Sequence, residues 1–136
     1  MKALRIPKEK ITAIWLSGEH ILRCEGDDSF LSRNALTPGR YTLAVGSKNP
    51  NKNLRGVVEA AHHLPPGSGD FVVAGGVNRS IFVGRQDTAS GVKELGFVND
   101  DELRSLYENA ACFVFPSFYE GFGLPPLEAL SLGCPV

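Results

Sequence analysis

Apolar positions in this chain alternate between short runs typical of strands and a longer stripe at helical spacing. Residues 41–45 and 71–74 are rich in strand formers, and each run is followed by glycine. Between these runs an apolar stripe predicts a helix that Pro65-Pro66-Gly67 ends; the stripe comprises Leu54, Val57, Val58, Ala61 and Leu64. Strand, helix and strand in this order favour a parallel sheet with helices on its faces.

The second half of the chain repeats this alternation. Residues 93–98 predict a short strand and turn, and Asn99 and Glu102 have the spacing of a capping box. The helix that follows carries apolar residues on one face, namely Leu103, Leu106, Tyr107, Ala110 and Ala111. A strand over residues 112–115 comes next. The predicted fold class is therefore α/β, a Rossmann-like parallel sheet with helices on both faces.

Three other stretches are less regular. Residues 11–16 contain β-branched and aromatic side chains and predict a further strand. Residues 17–40 are polar and rich in turn formers, which indicates a loop with one helical turn at most. Residues 77–93 show no long period because Gly84 and Gly91 interrupt it.

Composition narrows the class of protein without identifying it. The chain has 136 residues, 43% hydrophobic and 21% charged, which suits one globular domain. A net charge of −1 gives no electrostatic reason to expect nucleic acid. The three cysteines form no CxxC pair, so neither a zinc site nor a disulfide framework is indicated. Without a membrane-length apolar run or a signal peptide, a cytoplasmic location is predicted, either free or peripheral at the inner membrane face.

The candidate chemistry lies in the loop and helix start after residue 115. Glu120 precedes two glycines, whereas Glu128 is about one turn into a helix that opens with Pro125 and Pro126. Both carboxylates are predicted to face a cleft at the carboxyl end of the preceding strand, where open α/β sheets bind ligands. Free N–H groups and the helix dipole form a phosphate cradle, and carboxylates can accept sugar hydroxyls.

That combination suits a nucleotide sugar, a ligand with hydroxyls at both ends and a diphosphate between them. The simpler alternatives are two solvated glutamates and an ordinary glycine turn. A dehydrogenase is disfavoured, since no G-x-G-x-x-G follows an early strand.

The stretch from Phe115 to Val136 resembles the signature of retaining glycosyltransferase family 4, which has the GT-B fold. Its mark is a pair of glutamates separated by seven residues, here Glu120 and Glu128. The resemblance implies that the chain forms the C-terminal, donor-binding half of such an enzyme. It also implies transfer of a hexose, with retention, from a nucleotide diphosphate sugar to a saccharide or lipid-linked acceptor, with no metal required.

The resemblance further assigns roles to individual residues. It implies that Glu128 holds the ribose hydroxyls, that Glu120 holds the transferred sugar, and that Lys52, which precedes Asn53 as in the family, counters the leaving-group charge. The N–H groups near the start of the motif helix would contact the diphosphate or the sugar, at Gly121, Phe122, Gly123 and Leu124. We also expect Glu128 to face the surface and to contribute little to the core.

Further donor contacts are expected at the other strand ends. Gly46 and Ser47 follow the strand over residues 41–45, and Ser47 stands where many family members carry arginine, so Lys48 is the alternative source of the second cation. Gly75 could let the backbone approach the donor closely. The segment that includes Val98 resembles the one whose backbone meets the nucleobase.

The resemblance divides the chain into an interdomain entry segment and loop over residues 1–40 and a nucleotide-sugar-binding domain over residues 41–136. We expect this domain to be incomplete at its C-terminus, because a further strand should follow Val136, and the acceptor-binding N-terminal domain to be missing. A fragment of this kind is expected to self-associate and to transfer no sugar alone. Two alternatives stay open, a non-catalytic nucleotide-sugar-binding fragment and a GT-B-like sugar-nucleotide epimerase.

Overall fold

Four parallel strands form one sheet in a computed structural model of the chain, which describes residues 6–47, 49–65, 67–76 and 92–136. The strands are β1 (Tyr41–Val45), β2 (Asp70–Ala74), β3 (Val92–Gly96) and β4 (Cys112–Phe113). The α-helices are α1 (Asp28–Arg33), α2 (Leu54–Ala61), α3 (Asp100–Asn109) and α4 (Leu124–Ser131). Short 3₁₀ helices span Lys8–Lys10, Glu19–Arg23 and Pro50–Lys52.

Both faces of the sheet are buried, as the α/β prediction requires. Successive strand residues point to opposite faces, so Leu43 packs in one apolar cluster and Ala44 in the other. The smaller cluster joins Ala44 and Val73 to α2 through Leu54 and Val57. The larger cluster joins the opposite face to the remaining helices, with Leu43, Val72, Leu106, Tyr107, Phe113 and Ala129 among its members. The prediction of helices on both faces is confirmed.

The predicted strands and helices of residues 41–136 are found close to their predicted positions. The capping box is present, since Asn99 Oδ1 accepts from the Glu102 N–H at 3.0 Å and Glu102 Oε2 accepts from the Asn99 N–H at 2.9 Å. The strand predicted over residues 112–115 is shorter than expected. Its ladder ends at Phe113, although the Val114 N–H still donates to the Leu43 carbonyl at 2.8 Å.

Two predictions for the N-terminal part are wrong. Residues 11–16 form no strand, and Trp15 is 94% exposed. β-propensity measures the fit to a pleated, half-buried surface, and no strand pairs with this segment in the part of the chain that the structure describes. The segment over residues 17–40 contains more helix than predicted, because Asp27 caps α1 by accepting from the Ser29 N–H at 3.0 Å.

The segment ahead of β1 also belongs to the core. Ile21, Phe30, Leu31 and Leu36 are buried in the larger cluster. The domain boundary after residue 40 stays a prediction. The irregular stretch over residues 77–93 falls mostly outside the described residues, as do Lys48 and the segment 1–5. Among the helices that the structure describes, none has both the length and the apolar character needed to cross a bilayer.

The strand order leaves a crevice at one place in the sheet. The order is β3-β2-β1-β4, so β2 and β3 follow on one side of β1 while β4 lies on its other side. The carboxyl ends of β1 and β4 therefore flank a topological switch point, the usual ligand position in open α/β sheets.

Candidate functional site

The loops that leave β1 and β4 meet at the switch point. The Phe118 N–H donates to the Asn51 carbonyl at 2.8 Å, and Asn53 Nδ2 donates to the Pro116 carbonyl at 3.2 Å. Asn53 has a left-handed backbone with φ 48°, a conformation that asparagine tolerates better than most residues. These bonds dock the 3₁₀ helix Pro50–Lys52 onto the loop that carries Glu120.

Lys52 and Glu120, both predicted to be catalytic, lie in contact. Lys52 Nζ is 2.7 Å from Glu120 Oε1, and the two side chains are 21% and 23% exposed. The Oε1 atom itself is buried at this contact. The Lys52 side chain, and next Ser117, keep the pKa of Glu120 below its usual value. Glu120 is therefore a carboxylate at neutral pH.

The aromatic ring of Phe115 lies near this pair. Its ring centroid lies 5.9 Å from Lys52 Nζ, within the range of a cation–π contact. A lysine ammonium has three N–H donors and a carboxylate has more than one acceptor direction. Both members of the pair therefore keep capacity for a further polar partner.

Gly46 and Gly75 mark the strand ends beside this site. The Gly46 N–H donates to the Ala74 carbonyl at 3.0 Å, and the Gly75 N–H donates to the Gly96 carbonyl at 2.6 Å. Gly75 has φ +117°, and a Cβ there would lie 2.1 Å from the Gly46 oxygen. The close approach that requires glycine is thus between two backbone segments of the sheet. Donor contacts at Gly46 and Gly75 stay predictions.

Glu128, expected to face the surface, is buried at 7% exposure, so that expectation is wrong. Helix α4 is covered here by α3 and by the 3₁₀ helix Glu19–Arg23. The Tyr107 hydroxyl donates to Glu128 Oε2 at 3.0 Å, and His20 Nε2 lies 3.0 Å from Glu128 Oε1. Burial, and next the Glu128 charge, raise the pKa of Tyr107 far above its usual value. Tyr107 therefore remains a hydroxyl donor.

The start of α4 is open. Gly123, with φ +88°, precedes the helix and provides no side-chain cap. Pro125 and Pro126 lack an N–H, so the donors predicted for a phosphate come from Gly123, Leu124 and the residues before them. Gly121, Phe122 and Leu124 are exposed, which leaves this helix start accessible to a ligand.

The remaining predicted donor contacts differ in exposure. Ser47 is exposed and carries no charge, while Lys48 lies outside the described residues. The Val98 side chain is buried in the core, so only its backbone is available for the predicted nucleobase contact.

The structure brings Lys52 and Glu120 together but gives Glu128 a separate set of partners. Among the described side chains, no hydrogen bond or ion pair joins Glu128 to either of the other two. Sequence reasoning left His20 without a role, because no periodicity or motif links it to a glutamate so distant in the chain. Among the residues that the structure describes, no group of three or more His, Cys, Asp or Glu side chains is placed to hold a metal ion.

The family model for glycosyl transferases group 1 matches residues 29–136. The chain is 40% identical, over 104 residues, to O-antigen chain mannosyltransferase B of Escherichia coli, covering 71% of this chain and 27% of that protein. It is 60% identical, over 106 residues, to the serotype-specific mannosyltransferase WbdA of Escherichia coli, covering 71% of this chain and 13% of that protein.

Solved structures agree on the fold. The Anabaena protein HepE in complex with UDP and glucose superposes with a TM-score of 0.65 at 21% identity, over 81% of this chain and 33% of that one. The chain thus spans about a quarter of one curated relative, about an eighth of the other, and a third of this structure.

Proposed function

The chain belongs to the glycosyl transferases group 1 family, and from this premise we propose that it forms the donor-binding part of a retaining hexosyltransferase. The donor is a nucleoside diphosphate sugar, and the acceptor is a saccharide or a lipid-linked saccharide. Mannose is the first sugar to test, because the two Escherichia coli relatives are named mannosyltransferases.

The observation that supports this proposal most directly is the Lys52–Glu120 pair at the switch point between β1 and β4. A cation beside a carboxylate suits a ligand whose diphosphate and sugar hydroxyls are adjacent. Lys52 faces the diphosphate with its free N–H donors, while Glu120 accepts hydroxyls of the transferred sugar. The exposed helix start at Gly123 and Leu124 supplies backbone N–H groups and the positive end of a dipole.

The proposed chemistry uses these groups to stabilise departing charge. The acceptor oxygen bonds to the anomeric carbon on the face from which the diphosphate leaves, and the nucleoside diphosphate departs with the electron pair of the broken bond and takes up the proton that the acceptor hydroxyl loses. Negative charge therefore grows on the diphosphate next to the Lys52 ammonium. Because the positive charge is already in place, little reorganisation is needed as the bond breaks.

Titration calorimetry tests donor binding. The chain is titrated with GDP-, UDP- and ADP-linked mannose and glucose, with and without EDTA. We expect one nucleotide to bind in both conditions, and Lys52→Gln to weaken binding by about tenfold or more, since a hydrogen bond from a charged group is lost. Lys10→Gln, at an exposed lysine of the first 3₁₀ helix, is the matched control and should bind normally.

Absence of binding to every donor would contradict the proposal, and binding abolished by EDTA would contradict its metal-free part. Incubation of the bound donor with saccharide acceptors then tests transfer and the anomeric configuration of the product. Donor binding without transfer would favour a binding fragment, and an epimerised sugar would favour an epimerase.

A further inference from the structure

The buried carboxylate of Glu128 is held by one side chain on each oxygen. Tyr107 donates its hydroxyl to Oε2 at 3.0 Å, and His20 Nε2 lies 3.0 Å from Oε1. Either the neutral Nε2–H tautomer of histidine or its cation donates to a carboxylate. Because the two donors approach different oxygens, they fix the rotation of the carboxylate about its terminal bond.

Three elements supply this cluster, which we call the His20–Tyr107–Glu128 cluster. Glu128 is on α4, Tyr107 is on α3, and His20 is on the 3₁₀ helix Glu19–Arg23. Tyr107 is immobilised in the core, where its ring packs edge-to-face on Phe113 at a centroid distance of 5.4 Å.

Two nearby residues in the chain, Gly18 and Ile21, hold His20 in place. Ile21 is buried in the core. Gly18 lies so close to α4 that a Cβ there would be 2.4 Å from the Leu127 carbonyl carbon and 2.5 Å from the Glu128 nitrogen. The glycine therefore permits a backbone approach that no other residue allows without displacement, and this approach brings the imidazole to Glu128.

The cluster has an inner and an outer side. Tyr107 is fully buried, whereas the His20 side chain is 50% exposed. A carboxylate has about four lone-pair directions, and the two donors use two of them. The core closes the Tyr107 side, so a ligand would reach the unused acceptor directions from the side where His20 meets solvent.

We infer that His20 is a positioning residue for donor recognition, which orients Glu128 so that its free lone pairs accept the 2′- and 3′-hydroxyls of the donor ribose. The inference rests on the proposed function, because it takes the ligand to be a nucleoside diphosphate sugar. It goes further by making recognition of ribose over 2′-deoxyribose depend on a side chain outside the two-glutamate motif. His20 acts through Glu128 and takes no part in the chemical step.

The experiment measures dissociation constants of the full chain for a ribonucleoside diphosphate and its 2′-deoxy counterpart, using the nucleoside that binds in the donor panel. For the unaltered chain we expect the ribose form to bind about tenfold more tightly, the effect of one hydrogen bond to a charged acceptor. His20→Ala should reduce this ratio to about twofold, and His20→Gln, which keeps an N–H donor, should restore much of it.

Controls separate orientation from loss of structure. His62→Ala, at an exposed histidine after α2, should keep the tenfold ratio. Thermal melts of each variant report folding, and the ratio itself is unaffected by a simple change in the amount of folded protein. If His20→Ala does not fold, His20→Leu takes its place, since it fills a similar space without a donor. A ratio that is lower in the donor-free variant than in His20→Gln supports the inference, and equal ratios in the two variants overturn it.

The outcomes distinguish the two proposals. A ratio near one in the unaltered chain, or an unchanged ratio in His20→Ala, would overturn the role of His20 and leave the proposed function standing. Failure of the unaltered chain to bind any nucleoside diphosphate would overturn both.

Discussion

The two motif glutamates lie in contrasting environments although only seven residues separate them. Glu120 is in a partly exposed loop, paired with Lys52 and seated beside the Phe115 ring. Glu128 is buried in α4 and is held by a tyrosine hydroxyl and an imidazole. The neighbouring Lys52 thus lowers the pKa of the Glu120 carboxyl. Tertiary packing instead holds the Glu128 carboxylate in place.

The contrast indicates different roles. A loop carboxylate that pairs with a flexible lysine can exchange partners when a ligand arrives. A carboxylate fixed by two donors on separate elements keeps one orientation and accepts further hydrogen bonds only in set directions. Glu120 therefore suits the part of the ligand that reacts, and Glu128 suits the part that is only recognised.

The largest effect should come from removing the buried support of Glu128. Tyr107 has no exposed surface and packs against Phe113. Tyr107→Ala should lower the free energy of unfolding by about 3–5 kcal/mol, as for other large aromatic side chains in cores. Chemical denaturation measures the loss. Tyr107→Phe keeps the ring and should cost less, about 1–3 kcal/mol, for the lost hydrogen bond to a buried charge.

The close approach of Gly18 to α4 gives the next effect. Gly18→Ala places a methyl group against the Leu127 backbone, so we expect a loss of about 1–3 kcal/mol in unfolding free energy, typical of overpacking. The same variant should reduce the ribose preference by displacing His20. Gly121→Ala, where a Cβ meets no atom within 4 Å, is the control and should leave the melting temperature nearly unchanged. Equal melting temperatures of the two variants would contradict the steric reading of Gly18.

Replacing Glu128 tests the recognition role directly. Glu128→Gln should weaken binding of the ribonucleoside diphosphate by about 1–3 kcal/mol, because hydrogen bonds to a charged acceptor are lost. The amide retains the size of the carboxylate, so the chain should still melt cooperatively. Calorimetry with the 2′-deoxy nucleotide should show a smaller loss. An unchanged affinity for both ligands would assign Glu128 to structure alone.

The smallest effect concerns the pH dependence of the Lys52–Glu120 pair. The pKa of Glu120 is lowered in the folded chain. The pair therefore stabilises the fold above the ordinary glutamate pKa, and this contribution disappears as pH falls through the lowered value. The difference in melting temperature between the unaltered chain and Glu120→Gln should accordingly be largest near neutral pH and should close in acid.

Glu59→Gln is the matched control for that titration. Glu59 forms an exposed pair with Arg55 one helical turn away, at 2.7 Å. Such surface pairs contribute little, so its difference from the unaltered chain should be small at every pH. A gap for Glu120→Gln that persists or widens in acid would show that Lys52 does not stabilise the charged form.

Much of the sheet and its helices could be predicted from local patterns. β1 and β2 were marked by short apolar runs before glycine, and α3 by a capping box at Asn99 and a one-sided apolar face. These signals are local, so they remain readable without knowledge of the tertiary structure. Residues 11–16 carried the composition of a strand and form none, since strand formation depends on a partner that a single segment cannot reveal.

The site was predictable only in part for the same reason. The motif identified Glu120 and Glu128, and the resemblance of Lys52-Asn53 to the family suggested a role for Lys52. The burial of Glu128 depends on how α3 and the segment around His20 pack on α4, and neither leaves a signal near Glu128 in the sequence. The contact of His20 with Glu128 depends on the tertiary structure, which brings three distant segments together.

Trp15 is the only tryptophan of the chain, and it lies in the exposed, irregular segment after the first 3₁₀ helix. Its indole is already surrounded by water in the folded state, so its fluorescence should change little when the core melts. Intrinsic emission is therefore a poor probe of unfolding in this protein. A partner surface that covers residues 11–16 would move the indole of Trp15 out of water. The fluorescence emission of Trp15 would then shift to the blue while the sheet stays intact.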